Sequence, residues 1–225
     1  MTNLLALDGP RVGPAAGGAP DRLVVLLHGL GADGDDLIGL APYWTARLPT
    51  AVFVSPHAPF PCDMAPYGRQ WFSLQDRTPT RVLAGVQAAA PILDAFLDAE
   101  LARWGLGPER LALVGFSQGT MMSLHVAPRR ARAIAGVVGY SGALVGAERL
   151  GGEIRSRPPV LLVHGDADTI VPAEASRLAE RQLAAEGVAV RFVRRPGLPH
   201  SIDDVGLTEG GAFLADVLGR GGAPA

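Results

Sequence analysis

Lysine is absent from this sequence, because all 20 basic residues are arginine. This absence excludes Schiff-base catalysis, a Ser-Lys dyad and the phosphate-binding lysine of a P-loop. Cysteine occurs once, at Cys62, so no internal disulfide can form and nothing requires an oxidising compartment. The sequence has no apolar run of about 18 residues and no signal-peptide pattern. We therefore expect a cytoplasmic protein without stable membrane insertion.

An excess of charge of either sign is also missing. The 225 residues include 22 acidic and 20 basic side chains, and 48% of the residues are apolar. This balance argues against nucleic-acid binding and against disorder, and the length predicts one domain over residues 1–225. The five histidines are widely spaced, with no HExxH pair and no cysteine partner, so we expect no bound metal.

Apolar runs of strand length alternate with helical segments, which is typical of an α/β fold with helices on both faces of a mostly parallel sheet. Several runs are apolar at nearly every position, as expected for strands buried on both faces. The predicted strands cover residues 23–28, 51–55, 111–116, 133–138, 160–164 and 188–193. Residues 2–7 are a candidate edge strand, which gives a sheet of six to seven strands.

Helical periodicity is strongest over residues 82–104, where Pro91 predicts a kink or a break. Further helices are predicted over residues 118–127, over residues 172–186 and after Thr208. Residues 1–21 are expected to form an edge segment and loop, and residues 219–225 a flexible tail.

A G-x-S-x-G pattern, Gly115-Phe-Ser117-Gln-Gly119, lies between the predicted strand 111–116 and a predicted helix. Where a strand turns directly into a helix, the central residue adopts a strained backbone conformation and the residues two positions away must be small. This turn holds the Ser117 hydroxyl above the edge of the sheet, near the amide N–H groups of the helix start. Ser117 is therefore predicted to be a nucleophile.

A serine nucleophile needs a base and an acid that orients the base, and in this architecture the chain order is serine, acid, histidine. Asp166 and Asp168 both follow the predicted strand 160–164, at the edge where parallel sheets bind ligands. We favour Asp168 because it lies deeper in the loop, and we expect Asp166 to stabilise the turn through backbone hydrogen bonds. The alternative, in which both residues only form the turn, stays open.

His200 is the predicted base, because it is the only histidine after Asp168 and lies in the loop that follows the strand 188–193. His28 and His164 are interpreted as structural hydrogen-bonding groups at strand ends. His125 is interpreted as part of the helix behind the serine, and His57 as part of a proline-rich loop.

The glycine-rich segment after the first strong strand supplies the remaining part of such a site. Its turn is expected to bring the backbone N–H of Leu30 opposite that of Gln118, which makes a two-donor oxyanion hole. The same segment reads Gly29-x-Gly31-x-x-Gly34, the fingerprint of a dinucleotide-binding turn. That alternative requires an acid at the end of the next strand, and residues 51–57 contain none.

A long connection over residues 56–81 is rich in proline and large apolar side chains. Loops of this length in compact domains are usually functional or disordered, and the aromatic residues argue against disorder. Two interpretations stay open: the segment forms an apolar wall for an acyl chain beside Ser117, or it only covers an edge of the sheet.

Taken together, the segments 28–34, 69–72, 115–119, 165–172 and 197–200 resemble the phospholipase/carboxylesterase family of α/β-hydrolases, which includes bacterial carboxylesterases and acyl-protein thioesterases. The resemblance covers about residues 23–215. It implies an α/β-hydrolase fold without a separate lid domain, a triad of Ser117, Asp168 and His200, and oxyanion donors Leu30 and Gln118. It also places Trp71 and Phe72 beside the acyl group of the substrate.

The resulting functional hypothesis is a serine hydrolase that needs no cofactor and cleaves small-molecule esters or thioesters through an acyl-enzyme intermediate. Short or medium acyl esters, lysophospholipids and acyl thioesters are the substrates that the resemblance implies. Two alternatives are an esterase for small polar esters without fatty-acyl preference and a nucleotide-binding module that uses the Gly29–Gly34 turn. A homodimer is a further expectation.

Overall fold

The structure, a computed structural model, describes residues 5–220. Its strands are β1 (Arg11–Val12), β2 (Arg22–Leu27), β3 (Ala51–Val54), β4 (Phe60–Pro61), β5 (Arg69–Gln70), β6 (Leu111–Phe116), β7 (Gly136–Tyr140), β8 (Val160–Gly165) and β9 (Val190–Arg195). Its α-helices are α1 (Gly34–Leu37), α2 (Ala41–Trp44), α3 (Pro79–Trp104), α4 (Gln118–Val126), α5 (Leu150–Glu153), α6 (Ala173–Ala185) and α7 (Asp204–Arg220). Four single turns of 3₁₀-helix cover Ile38–Leu40, Pro108–Arg110, Ala127–Arg129 and Ala147–Arg149.

Seven of the strands form one sheet in the order β1-β3-β2-β6-β7-β8-β9. Strand β1 pairs antiparallel with β3, and every other pair in this sheet is parallel. β4 and β5 form a separate antiparallel hairpin. The predicted fold class, a mostly parallel α/β sheet, is confirmed.

The sheet separates two apolar clusters, because successive side chains of a strand point to opposite faces. On one face Leu23, Val25 and Leu27 of β2 pack with α3, α4 and α6. On the other face Val24 and Leu26 pack with α2 and α7. Both faces of the central strands are buried, which explains why these strands read as continuous apolar runs rather than as alternating ones.

Several boundaries differ from the sequence predictions, among them those of β7, β9 and α7. The strand predicted over 133–138 is β7 (Gly136–Tyr140), and the strand predicted over 188–193 is β9 (Val190–Arg195). Helix α7 begins at Asp204 rather than after Thr208. Its first turns contain glycines, which weaken the helical signal in the sequence, but these glycines allow close packing against other buried side chains: Tyr140 and Trp44.

Both predicted terminal segments also need correction. The antiparallel edge strand is Arg11–Val12, and residues 5–7 belong to no strand, while residues 2–4 lie outside the described residues. Gly219 and Arg220 belong to α7, and residues 221–225 of the predicted tail lie outside the described residues.

Helix α3 runs through Pro91 without a break. It is 26 residues long, and its mean hydropathy of 1.4 over 18 residues meets a length-and-composition test for a membrane-crossing helix. A core helix passes the same test, and one face of α3 lies against the sheet through Val86, Leu93 and Leu97. One face of the helix is therefore part of the core.

Candidate active site

Ser117 lies in the sharp turn between β6 and α4. Its backbone adopts φ of +54° and ψ of −114°, a conformation that non-glycine residues rarely adopt. The Ser117 N–H donates to the Tyr140 carbonyl at 2.9 Å, which anchors the turn to β7. A Cβ atom on Gly119 would lie 1.7 Å from the Leu27 carbonyl oxygen, and one on Gly115 would lie 2.4 Å from backbone atoms of Gly119. The two flanking glycines are therefore required by close backbone packing.

Asp168 lies in the loop after β8 and is almost fully buried. Its Oδ1 atom accepts hydrogen bonds from the backbone N–H groups of Ile170 and Val171, both at 2.9 Å. Its Oδ2 atom lies 2.6 Å from Nδ1 of His200. Burial alone would raise the pKa of Asp168, but the donors from His200, Val171 and Ile170 outweigh it and hold this pKa below its ordinary value. The side chain is therefore a carboxylate at neutral pH.

His200 lies in the loop between β9 and α7, with its side chain 18% exposed. Because the Asp168 carboxylate only accepts, Nδ1 of His200 donates and Nε2 is left free to accept a proton. His200 and Ser117 line the same cavity, and the His200 ring packs 4.9 Å from the ring centroid of Phe116. No hydrogen bond joins the Ser117 hydroxyl to His200 within residues 5–220. Such bonds often form only when substrate is present.

Asp166, the competing acid, has different partners. Its Oδ1 atom accepts a hydrogen bond from the Gly197 N–H at 2.6 Å, and its Oδ2 atom accepts one from Nε of Arg194 at 3.1 Å. Both contacts tie the β8 loop to the segment that leads to His200. Asp166 thus supports the loop from the surface side, whereas Asp168 is the acid that contacts the imidazole.

The loop after β2 carries Leu30 to the edge of the same cavity. The Gly31 N–H donates to the Arg69 carbonyl at 2.9 Å, and the Arg69 N–H donates to the Ala32 carbonyl at 2.8 Å. These two bonds fix the loop on either side of Leu30. Within the described residues, the N–H groups of Leu30 and of Gln118, the first residue of α4, have no hydrogen-bond acceptor. Leu30 lines the cavity, whereas Gln118 follows Ser117 directly and is itself fully buried.

The glycine-rich turn does not have the arrangement of a dinucleotide-binding turn. The helix that follows it, α1, has only four residues, and the Gly31 N–H is already bonded to Arg69. Asp33 caps this short helix by accepting from the N–H groups of Asp35 and Asp36. Little of the turn is left to bind a phosphate.

Trp71 and Phe72 do not line the cavity, contrary to what the sequence resemblance implied. They are 0% and 2% exposed and belong to the core. The Gln118 side chain accepts from the Trp71 N–H at 3.1 Å and donates to the Phe72 carbonyl at 2.8 Å, and the Trp71 indole donates to the His28 carbonyl at 3.0 Å. Their aromatic character indicated a binding surface, but their hydrogen bonds show that they support the loops of the site from beneath.

The cavity itself has a volume of about 440 Å³ and a largely apolar lining. The long 56–81 connection contributes Leu74 and Arg77, and the following helix contributes Val82. These residues have no sequence motif, so only the fold identifies them. The other residues that line the cavity beside Ser117 and His200 are Gly29, Leu30, Ala32, Asp36, Phe116, Met121, Ala143, Val145, Ile170 and Val171.

Two further histidines lie at strand ends, as the sequence predicts, but their partners differ. His28 is fully buried; its Nδ1 donates to the Gly29 carbonyl at 2.7 Å, and its Nε2 accepts from the Ala58 N–H at 3.0 Å. His164 is also fully buried, and its Nε2 lies 3.1 Å from Oδ2 of Asp168. No motif in the sequence indicates that His164 contacts the same carboxylate oxygen as His200.

One group of potential metal ligands occurs within residues 5–220, formed by Asp33, Asp35 and His57. Gly34 donates its N–H to Nδ1 of His57 at 3.2 Å, and Asp33 is occupied as a helix cap. These contacts already explain the cluster as a turn, and it lies outside the cavity lining.

Comparison with known proteins identifies the family. The phospholipase/carboxylesterase family model matches residues 14–218. The crystal structure of esterase PE8 superposes with a TM-score of 0.91 at 42% identity, over 95% of this chain and 100% of that chain. A probable carboxylesterase of Oryza sativa is 32% identical over 84% of this chain and 75% of its own length. Acyl-protein thioesterase 1 of Gibberella zeae is 28% identical over 93% of this chain and 95% of its own. The chain therefore belongs to the phospholipase/carboxylesterase family of α/β-hydrolases and is an enzyme that hydrolyses esters or thioesters.

Proposed function

We propose that the hydrolysis proceeds through Ser117, Asp168 and His200 as a catalytic triad. The observation that carries this proposal is the partly buried 2.6 Å contact between His200 and Asp168, with the His200 ring lining the same cavity as the strained Ser117. Nε2 of His200 takes the proton of Ser117 as its oxygen bonds to the carbonyl carbon of the substrate. The same proton then passes to the leaving alcohol or thiol as its bond to carbon breaks.

Water completes the reaction. His200 removes a proton from a water molecule that attacks the acyl carbon, and the returned proton restores the Ser117 hydroxyl as the acid leaves. Asp168 remains ionised and stabilises the imidazolium in both steps. The free N–H groups of Leu30 and Gln118 serve as donors to the oxyanion of each tetrahedral intermediate. No cofactor takes part in this sequence of steps.

The substrate proposal follows from the lining of the cavity. A volume of about 440 Å³ is in the usual range for a small-molecule site. Leu74, Val82 and Met121 give it an apolar region suited to a short or medium acyl chain. Asp36 and Arg77 are the charged residues of the lining, and they suit a polar alcohol or thiol part of the substrate. A preference for small polar esters is the second candidate, and these two charges favour it.

Labelling with a fluorophosphonate, followed by peptide mapping, tests the assignment of the nucleophile. Label on the peptide that contains Ser117 is the expected result, and label elsewhere, or none, contradicts the proposal. Rates for matched oxygen and sulfur esters of increasing acyl length then separate the substrate classes. A rise from acetyl to medium chains supports the acyl-pocket proposal, whereas a steady fall supports small polar esters. Cytoplasmic location and homodimer formation stay predictions from the sequence.

A further inference from the structure

His164 is a buried histidine that the proposed mechanism does not use. It lies near the end of β8 with a side chain that is 0% exposed. Its Nε2 atom lies 3.1 Å from Oδ2 of Asp168 and 2.8 Å from the Val171 carbonyl. Its Nδ1 atom lies 2.7 Å from the Ser176 hydroxyl on α6. Every nitrogen of the ring is therefore engaged, and one of its partners is the predicted catalytic acid.

The identity of these partners fixes the position of the ring proton. The Asp168 carboxylate and the Val171 carbonyl are acceptors only, so Nε2 of His164 must be the protonated nitrogen. Burial lowers the pKa of His164 and outweighs the opposing effects of Val171 and Asp168, so the ring is neutral at neutral pH. Nδ1 is then an acceptor for the Ser176 hydroxyl. His164 thus shares its Nε2–H between the Val171 carbonyl at 2.8 Å and Oδ2 of Asp168 at 3.1 Å, and it adds no charge.

Ser176 in turn connects the ring to the segment behind Ser117. Its single hydroxyl proton can go to only one of two acceptors, Nδ1 of His164 at 2.7 Å or the Gly142 carbonyl at 2.9 Å, and an unprotonated Nδ1 requires that it goes to His164. The Gly142 carbonyl is then a close neighbour of the Ser176 oxygen and not a second acceptor. Gly142 is in close contact with Ser117, because a Cβ atom on it would lie 3.1 Å from the Ser117 carbonyl oxygen. The orientation of the His164 ring is therefore set by Ser176 on α6, which lies beside a loop that packs against the nucleophile turn.

With His164 included, all four acceptor positions of the Asp168 carboxylate are used. Oδ1 accepts from the two backbone N–H groups of Ile170 and Val171, and Oδ2 accepts from His200 and His164. The two ring donors approach the same oxygen, so the position of Oδ2 depends on both rings. A carboxylate with only backbone donors would remain free to tilt about Oδ1.

We propose that His164 is a positioning residue that, held by Ser176, fixes Oδ2 of Asp168 in line with Nδ1 of His200. This inference rests on the proposed triad. His164 does not touch the substrate; it acts through Asp168. The Nε2–H group of His164 also interacts with the negative charge on Oδ2. This interaction weakens the stabilisation that Asp168 gives to the His200 imidazolium. Removing the donor is therefore expected both to misplace His200 and to favour its protonated form.

The other charged groups around His164 are engaged elsewhere. On β9, its register partner Arg194 pairs with Asp166, and the adjacent Arg195 pairs with Asp203. On β7, Tyr140 is neutral because burial raises the pKa of its phenol. On α6, the charged side chains near Ser176 are directed to other partners: Glu174 to Arg181, and Arg177 to the ring of Phe192. Asp168 and His200 are thus the titratable groups through which a change at His164 reaches the reaction.

The test compares His164→Leu with His164→Gln, since the Gln side chain can place an amide donor near the former Nε2. Rates on a p-nitrophenyl ester are measured across pH and divided by the number of fluorophosphonate-reactive sites, so that misfolded protein does not count. For His164→Leu we expect kcat to fall about tenfold to a hundredfold with little change in KM. We also expect the acidic limb of the kcat/KM profile to move to higher pH by about half a unit to one unit. His164→Gln should restore most of both effects.

His125→Leu is the matched control, because His125 is also buried but has no hydrogen bond to Ser117, Asp168 or His200. Per reactive site, this variant should leave both kcat and the acidic limb of the kcat/KM profile unchanged. If His164→Leu does not fold, Ser176→Ala becomes the deciding variant. Ser156→Ala is its control, because it also removes a buried hydroxyl, in this case one that is bonded to a carbonyl. Ser176→Ala is expected to lower kcat about threefold to tenfold and to move the acidic limb in the same direction.

Two outcomes would overturn the inference. The first is a His164→Leu enzyme whose kcat and pH profile per reactive site match those of the unchanged protein. The second applies if His164→Leu does not fold: it is a Ser176→Ala enzyme whose kcat and pH profile match those of the unchanged protein. A Ser117→Ala variant run in parallel distinguishes this failure from failure of the proposed function. If Ser117→Ala remains active, the triad itself is wrong; if it is inactive while His164→Leu is normal, only the role of His164 is wrong.

Discussion

The two halves of the active site are built by different means. The nucleophile half, Ser117 and the Leu30 loop, depends on backbone geometry, with glycines that permit carbonyl groups to approach within contact distance. The acid–base half, Asp168 and His200, depends on side-chain hydrogen bonds between the loops after β8 and before α7. Steric changes should therefore damage the first half, and changes of hydrogen-bonding capacity that preserve shape should damage the second.

Ser117→Ala gives the largest expected effect, because it removes the nucleophile without adding any atom. We expect kcat to fall about a millionfold, as for other triad nucleophiles, with fluorophosphonate labelling lost. Thermal unfolding should be nearly unchanged, since the Ser117 hydroxyl forms no hydrogen bond within the described residues. Turnover close to that of the unchanged enzyme would remove Ser117 from the mechanism.

Asp168→Asn tests the acid–base half by a change that keeps the shape of the side chain. The amide cannot accept from His200 and two backbone donors as the carboxylate does, so the imidazole is held in the wrong tautomer, and we expect kcat to fall about 10⁴-fold. Asp166→Asn is the matched control, because it is the same substitution two residues away on a side chain whose partners are Arg194 and Gly197.

The expected effect of Asp166→Asn is less than about tenfold, since it loosens the loop without altering the carboxylate that contacts His200. Steady-state kinetics on a p-nitrophenyl ester provide the comparison. A more severe loss for Asp166→Asn than for Asp168→Asn would reverse the assignment of the acid.

How far the sequence could predict each half follows from the same difference. The existence of the strands and the serine turn depend on local signals: apolar runs buried on both faces and glycines at two fixed positions around Ser117. The deeper loop position favours Asp168 over Asp166, and Asp168 is the one of the two whose carboxylate contacts His200. The contact of His164 with Asp168 could not be predicted, since it depends on how β8, α6 and a loop meet in space.

Trp71 and Phe72 were predicted to lie beside the acyl group of the substrate, but they do not line the cavity. Large aromatic side chains in a long loop near a nucleophile suggest a substrate surface, yet here the backbone of that segment is hydrogen-bonded to the Gln118 side chain and both rings are buried. Residue type alone does not tell whether an aromatic group faces the cavity or supports it from below. The glycine-rich start of α7 was missed for a related reason, because tertiary packing overrides weak helix propensity there.

Gly119→Ala tests the nucleophile half by adding a single methyl group. Its Cβ would lie 1.7 Å from the Leu27 carbonyl oxygen, so β2 and α4 must move apart. We expect a loss of about 3 kcal/mol in the free energy of unfolding, or roughly 10 °C in Tm for a chain of this size. Gly152→Ala is the control, because a Cβ there has no neighbour within 4 Å, and differential scanning calorimetry measures both. Equal Tm values for the two variants would contradict the packing argument.

The smallest expected effect concerns a buried group outside both halves. Burial, with a smaller contribution from Arg129, lowers the pKa of His125 from 6.5 to about 4, so the folded protein keeps this ring neutral where the unfolded chain protonates it. Between about pH 6.5 and pH 4 the unfolded chain therefore binds more protons, and stability falls as pH falls through that range. His125→Leu removes this contribution, so we expect its Tm to decline less between pH 7 and pH 5 than that of the unchanged protein. Thermal unfolding at the two pH values measures the difference in slope, and an equal decline for both proteins would show that His125 is protonated in the folded state.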